Sequence, residues 1–138
     1  MDETTRGASA EIEMQQSQEP LRLIMVADVD SVIAGYGRAR YYLTPDGMQP
    51  ESFPEGWYLS GLLVAPEFRR YGIGLELTRQ RIAWIGDRAR VVRFHTSVTN
   101  LASIAMHKKL GFREVKRDIV VTTRDRGYGP EILYELRL

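Results

Sequence analysis

Apolar residues change their spacing along this chain, and each change marks an element. Leu21-Arg22-Leu23-Ile24-Met25-Val26-Ala27 is an apolar run of strand length. Asp28-Val29-Asp30-Ser31 supplies turn chemistry. Val32 to Tyr42, rich in β-branched and aromatic residues, then predicts a second strand and an antiparallel hairpin. Thr44 to Gly56 carries Pro45, Gly47, Pro50, Pro54 and Gly56 and reads as a loop. Trp57 to Val64 is a third strand, ended by Pro66. From Leu75 to Ile85 the period becomes helical, with Leu75, Thr78, Ile82 and Ile85 on one face and Glu76, Arg79 and Gln80 away from it. Val91 to Val98 returns to alternation: Val92, Phe94 and Thr96 form an inner face, Arg93, His95 and Ser97 the other. Leu101 to Leu110 predicts a second helix, with Asn100 as N-cap and Gly111 as C-cap. Val115 to Thr123 and Glu131 to Leu138 are the last strands, joined by a turn at Arg124 to Pro130. The order β-β-β-α-β-α-β-β predicts an α+β fold around a mixed sheet.

The first 19 residues break this pattern. Asp2, Glu3, Glu11, Glu13 and Glu19 stand against Arg6 alone, with no aromatic residue. Disorder is expected up to about Ser9, and Ala10 to Gln18 predicts a short helix with a thin apolar face. Residues 20–138 are expected to form a single domain.

Composition narrows the chemistry. Nineteen basic and 18 acidic residues leave a net charge of +1, which argues against a nucleic-acid partner. The chain has no cysteine, which excludes disulfides, thiolate metal sites and cysteine nucleophiles. Its two histidines, His95 and His107, do not make a zinc site without carboxylate help, so no metal is expected. No 18-residue apolar run and no signal peptide is present. A cytoplasmic protein without a membrane partner is the expectation.

The chemistry starts at Arg69-Arg70-Tyr71-Gly72-Ile73-Gly74, between a strand and a helix. Backbone N–H groups at such a junction converge on one point, and the helix dipole favours an anion there. Glycines at 72 and 74 permit the tight turn and keep side chains away from a ligand. Arg69 and Arg70 add donors that pair with phosphate oxygens. By spacing alone, a glycine-softened turn with solvated arginines fits equally well. The six-residue glycine pattern of dinucleotide-binding folds is absent, since position 77 is Leu, and no Gly-Lys-Ser/Thr follows.

Two longer stretches carry a resemblance. Val64-Ala65-Pro66-Glu67-Phe68-Arg69-Arg70-Tyr71-Gly72-Ile73-Gly74 is similar to the Arg/Gln-x-x-Gly-x-Gly/Ala hallmark of the GCN5-related N-acetyltransferase (GNAT) superfamily. Asn100-Leu101-Ala102-Ser103-Ile104-Ala105-Met106-His107-Lys108-Lys109-Leu110-Gly111-Phe112 resembles its second signature, an Asn, a helix and a Leu-Gly-Phe ending. The resemblance covers roughly Leu21 to Leu138. It implies a GNAT acyl-CoA N-acyltransferase fold, with a mostly antiparallel sheet splayed between the third and fourth strands at the acetyl-CoA site. It implies that the pyrophosphate meets the backbone of Arg70 to Gly74, with Arg69 beside it. The pantetheine arm would pair with the backbone of Leu62, Leu63 and Val64, where an N–H polarises the thioester carbonyl. An amine would attack directly, with acetyl-CoA as co-substrate.

The same resemblance places Asn100 and Ser103 on the pantetheine arm and a proton donor, usually Tyr, seven residues after the Asn. Here that position is His107. Asn100, Ser103 and His107 are spaced to share a helix face. A helix-surface histidine beside Lys108 is the plain alternative. His95 occupies the place where some N-terminal acetyltransferases of the superfamily carry a Glu base, and its ordinary pKa suits proton transfer near neutrality. A solvated or core histidine fits there as well. Tyr36, Tyr41, Tyr42, Trp57 and Tyr58 lie on or near the substrate side, although core packing explains most of them. Asp46, Glu51, Glu55 and Asp125 lie in the two loops expected to border the acceptor, where they attract a cationic amine or simply solvate the surface.

One departure stands out. The family opens with a strand and two helices before the first hairpin, and only about 20 residues precede that hairpin here. The usual first strand is therefore expected to be absent, and the exposed edge predicts a homodimer. The expected activity is transfer of acetyl from acetyl-CoA to a primary amine of a small molecule. A peptide or protein N-terminal acetyltransferase and a catalytically reduced acyl-CoA-binding module are the alternatives.

Overall fold

The computed structural model describes residues 11–16, 21–121 and 129–138. Its elements are β1 (Glu11–Gln16), β2 (Arg22–Val29), β3 (Val32–Tyr42), β4 (Gly56–Val64), a 3-10 turn (Pro66–Phe68), α1 (Ile73–Gly86), β5 (Val91–Ser97), α2 (Leu101–Lys109), β6 (Arg113–Ile119) and β7 (Glu131–Arg137). The expected α+β fold with a mixed sheet is what forms. β4 and β5 run parallel, while β1–β2, β2–β3, β5–β7 and β6–β7 are antiparallel. Among the described residues no helix is long and apolar enough to cross a membrane.

Two expectations at the start of the chain are corrected. Glu11–Gln16 is a strand, not part of a helix over Ala10 to Gln18, and it pairs with β2 from Glu11↔Asp28 to Gln16↔Leu23. A short polar segment with weak helical amphipathicity takes the conformation that its neighbour's open ladder imposes. A strand therefore does precede the hairpin. What is lacking is room for two helices, since only residues 17–21 separate β1 from β2. The edge of β2 that motivated a homodimer is paired, so that argument loses its basis. The disorder expected before Ser9 and the turn expected at Arg124 to Pro130 fall largely outside the described residues. The strand expected over Val115 to Thr123 runs instead over Arg113–Ile119.

The chain divides into two compact units, residues 1–40 with 59–88 and residues 41–58 with 89–138. In the first, the hairpin turns at Asp30 and Ser31, both at positive φ (51° and 67°), the backbone of a two-residue primed turn. β2 alternates, burying Leu23, Met25, Ala27 and Val29. α1 buries Ile73, Leu77, Thr78, Arg81, Trp84 and Ile85, while Leu75 and Ile82 are only half-buried. The apolar stripe expected on Leu75, Thr78, Ile82 and Ile85 is thus rotated, and the polar Arg81 lies in its centre. Small residues on β3, Ala34, Gly37 and Ala39, are buried and leave space for it.

In the second unit β5 alternates as expected. Val92, Phe94 and Thr96 are buried, and Arg93, His95 and Ser97 are half-buried on the other face. Phe94 stacks on its cross-strand partner Tyr134, with ring centres 5.1 Å apart. A second apolar cluster joins Phe53 and Tyr58 to Ile119, Val121 and Leu133.

Candidate active site

In the first unit the end of β4 leads directly into the turn at Arg69 to Gly74. Gly61 takes φ 61° and breaks the regular pleat just before Leu62-Leu63-Val64. Leu62 and Leu63 are 39% and 52% exposed, unusual for leucines on a strand that enters the core elsewhere. Ala65 N–H donates to the Ala34 carbonyl (2.8 Å), and Pro66 starts the 3-10 turn. Arg69 folds back so that Nε donates to the Val64 carbonyl (3.1 Å). Arg70 then takes φ 72° and Gly72 φ 79°. An arginine in the left-handed region is backbone strain of about 1 kcal/mol or more, of the kind that gathers at ligand clamps.

α1 begins at Ile73 with Gly72 as its N-cap and no side chain capping it. Glu76 N–H donates to the Gly72 carbonyl (3.0 Å), so it is the N–H groups of the three residues before it that have no acceptor within the helix and point out of its start. A Cβ at Gly72 would meet nothing within 4 Å, so this point is open. A Cβ at Gly74 would lie 3.7 Å from both Leu62 Cδ2 and Val64 Cγ2. The first turn of α1 is thus packed beside the β4 end. The structure brings Leu62, Val64, Arg69 and Gly74 together. Ile73 is buried and offers only its backbone.

In the second unit the parallel pairing of β4 with β5 covers Trp57↔Val92 and Tyr58↔Arg93. Past β5, Asn100 is the N-cap of α2 by position but not by side chain. Its Nδ2 donates instead to Thr96 Oγ1 (3.1 Å), tying the helix start to the strand. This corrects the expected side-chain cap. Ser103 and His107 do meet, one helical turn apart. His107 Nδ1–H donates to the Ser103 carbonyl (2.7 Å), and Ser103 Oγ lies 3.3 Å from the same nitrogen. A carbonyl only accepts, so Nδ1 carries the proton and any proton exchanged by this ring moves at Nε2.

The Leu-Gly-Phe ending explains where His107 sits. Gly111, at φ 100°, ends α2 in the left-handed region. Gly111 N–H donates to the Lys108 carbonyl (3.0 Å) and Phe112 N–H to the His107 carbonyl (3.1 Å), which is a complete Schellman motif. The apolar contact that accompanies this motif joins the residue after the glycine to the one donating the outer carbonyl. Here it is the edge-on contact of Phe112 with His107 at 5.2 Å. His107 also stacks on Phe94 at 3.8 Å and is 5% exposed. Sequence reasoning missed Thr96 and Phe94 as the residues that position Asn100 and His107. Their only signal was their place on the inner face of β5.

His95 lies on the opposite face of β5 from Phe94. The two candidate histidines therefore do not share a face of the strand. His95 Nε2–H donates to the Ser52 carbonyl (2.8 Å). Its ring is parallel to Tyr58 at 5.4 Å and tilted against Phe53 at 4.7 Å.

The profile of the acetyltransferase (GNAT) family matches residues 2–112, four fifths of the chain and both signature stretches. The chain belongs to that family. As a GNAT protein it falls in the class of acetyl-CoA-dependent N-acetyltransferases. It is 31% identical over 105 residues to an aminoglycoside N(6′)-acetyltransferase type 1 of Acinetobacter genomosp. 13, covering 75% of this chain and 69% of that one. It is 30% identical over 95 residues to an N-alpha-acetyltransferase of Sulfolobus acidocaldarius, covering 66% of this chain and 56% of the relative. A Bacillus anthracis acetyltransferase crystallised with acetyl coenzyme A superposes with a TM-score of 0.68 at 19% identity, over 88% of this chain and 65% of the other. The GNAT chain thus spans between about half and seven tenths of these proteins.

Proposed function

We propose that this GNAT enzyme transfers the acetyl group of acetyl-CoA to a primary amine of a small molecule, by direct attack within a ternary complex. The observation that carries the donor half is the turn at Arg69 to Gly74. It combines an uncapped helix start, two left-handed residues and an open position at Gly72, all beside the exposed end of β4. A pyrophosphate fits this donor set: backbone N–H groups take its oxygens, and the Arg69 and Arg70 guanidinium groups add charge. Acetyl-CoA supplies the activated thioester carbonyl. The backbone of Leu62 to Val64 holds the arm that carries it, and an N–H there stabilises the charge that grows on the carbonyl oxygen. The amine nitrogen forms a bond to the carbonyl carbon, the carbon–sulfur bond breaks, and the nitrogen gives up a proton. The departing thiolate gains one, and His107 Nε2 is the group proposed to hold it, with Ser103 fixing the ring through Nδ1.

Similarity to an aminoglycoside-modifying relative supports a small polycationic acceptor. The loop 43–55 agrees in charge, since Asp46, Glu51 and Glu55 are its only ionisable residues. The N-alpha-acetyltransferase relative supports a second reading, acetylation of a peptide N-terminus. Thiol release from acetyl-CoA against aminoglycosides, polyamines and short peptides tests both. Turnover on the small amines is expected. Turnover confined to peptides would favour the second reading, and binding of acetyl-CoA without thiol release on any amine would sink both.

His107→Phe is expected to slow transfer by about tenfold to a hundredfold, the range of a positioned proton donor. Acetyl-CoA affinity, read by calorimetry, should change less than about threefold, because the ring contacts with Phe94 and Phe112 persist. An unchanged turnover number with a good acceptor would reject the proton-donor role.

A further inference from the structure

The return arm of loop 43–55 is held in a way that the transfer chemistry above does not use. Four successive carbonyls, of Ser52, Phe53, Pro54 and Glu55, each accept a hydrogen bond from a side chain. His95 Nε2 reaches Ser52 (2.8 Å), Thr44 Oγ1 reaches Phe53 (2.7 Å), Tyr58 OH reaches Pro54 (2.6 Å) and Arg93 Nη1 reaches Glu55 (3.1 Å). Phe53 itself is buried, with its ring against Tyr42, Tyr58 and His95. A loop with three prolines and a glycine is usually mobile, yet three of these ties fasten it to β4 and β5, and the fourth, from Thr44, closes the loop on itself. Two of the four donors, Arg93 and His95, alternate along the β5 face opposite the one that carries Phe94 and His107. Arg93 is itself held by Glu135 at 3.0 Å, so its reach to Glu55 is fixed.

We propose that His95 is a positioning residue rather than a proton-transfer residue: it latches loop 43–55 as a rigid wall of the acceptor site and so sets acceptor affinity. This rests on the transferase reading. The ring is suited to a latch because its Nε2–H is committed to a loop carbonyl and its faces are packed by Tyr58 and Phe53. The loop's own ionisable residues are Asp46, Glu51 and Glu55, all acidic, which fits a protonated amine arriving from solvent. Donor binding lies with other residues, on β4 and at the Arg69 to Gly74 turn, and is independent of the latch.

Two substitutions separate latch from base. In His95→Gln, an amide Nε2 donates from nearly the same place but cannot accept a proton at neutral pH. In His95→Phe, the ring packing is kept and the donor is lost. The latch predicts that His95→Phe raises the acceptor KM about tenfold, the ratio carried by one hydrogen bond to a half-buried carbonyl, and leaves the acetyl-CoA KM unchanged. His95→Gln should restore the acceptor KM to within about threefold with kcat retained. Equal loss of kcat in both variants, with acceptor KM unchanged, would overturn the proposal in favour of a base. If the wild-type protein acetylates no amine, the transferase reading fails on its own. The latch is then judged by hydrogen exchange at the Ser52 and Phe53 amides, both bonded to the Gln49 carbonyl. About tenfold faster exchange in His95→Phe but not in His95→Gln supports it, and equal exchange in all three proteins refutes it.

Discussion

Arg81→Ala is expected to lower the stability of the protein by about 3–5 kcal/mol, measured by urea denaturation. Arg81 is 2% exposed in the buried stripe of α1. Its partners among the described residues are neutral oxygens: Nε donates to the Leu77 carbonyl (3.2 Å), Nη1 to the Arg38 carbonyl (2.8 Å) and Nη2 to Thr78 Oγ1 (3.0 Å). Burial pushes its pKa down to about 10, still far above neutrality, so the group stays charged at pH 7. The guanidinium lies on β3 where Gly37 leaves space; a Cβ there would stand 2.6 Å from Nε. Truncation to alanine leaves a cavity above Gly37 and removes the hydrogen bond that Arg81 Nη1 gives the Arg38 carbonyl. Arg81→Met separates these contributions. It fills most of the volume and removes the desolvated charge, so only about 1–2 kcal/mol should be lost, chiefly for the hydrogen bonds that go with the guanidinium. If methionine were as damaging as alanine, the charge itself would be what holds α1 on the sheet.

That arginine also marks where reading the chain as a one-dimensional pattern stops working. β3 was legible to its end residues because Val32 to Tyr42 is rich in β-branched and aromatic residues and follows a turn that only a few residue types favour, although its burial does not alternate from Val32 to Gly35. The Leu-Gly-Phe ending was legible for a similar reason: a left-handed helix end demands glycine, and the residue after it must be apolar to close the motif. α1 was legible as a helix but not in its rotation, because a buried arginine counts as polar until its three acceptors are known. β1 was read as a helix because Glu-Ile-Glu-Met-Gln-Gln carries too little apolar signal to outweigh a neighbour's ladder. In the candidate site, the tight turn before α1 could be read from Gly72 and Gly74, which a single residue separates along the chain. The loop's four carbonyl ties could not, since their donors come from as far as 43 residues away. The alternation of β5 already put His95 opposite Phe94. Only the tertiary stack of Phe94 on His107 shows that this also separates the two histidines.

Gly72→Val and Gly74→Ala should behave differently both without acetyl-CoA and with it. Gly72 sits at φ 79°, where a β-branched residue is strained, but a Cβ there meets nothing within 4 Å. The free protein should therefore lose only the backbone penalty, about 1–3 kcal/mol. Gly74 lies inside α1, and its added methyl would make ordinary contact with Leu62 and Val64. The free protein should be unchanged or gain about 0.5–1 kcal/mol, as expected when alanine replaces a helical glycine. If the turn cradles a pyrophosphate, the Gly72→Val side chain intrudes on the ligand's approach to the backbone N–H groups. Acetyl-CoA affinity should then fall at least about tenfold in that variant, by calorimetry. The Gly74→Ala methyl is directed at Leu62 and Val64 instead, and the family hallmark admits alanine at that position, so its affinity should change less than about threefold. A solvated turn with no ligand predicts equal affinity in both variants and the wild-type protein. Gly74→Ala is thus the control that separates a blocked cradle from an altered helix start.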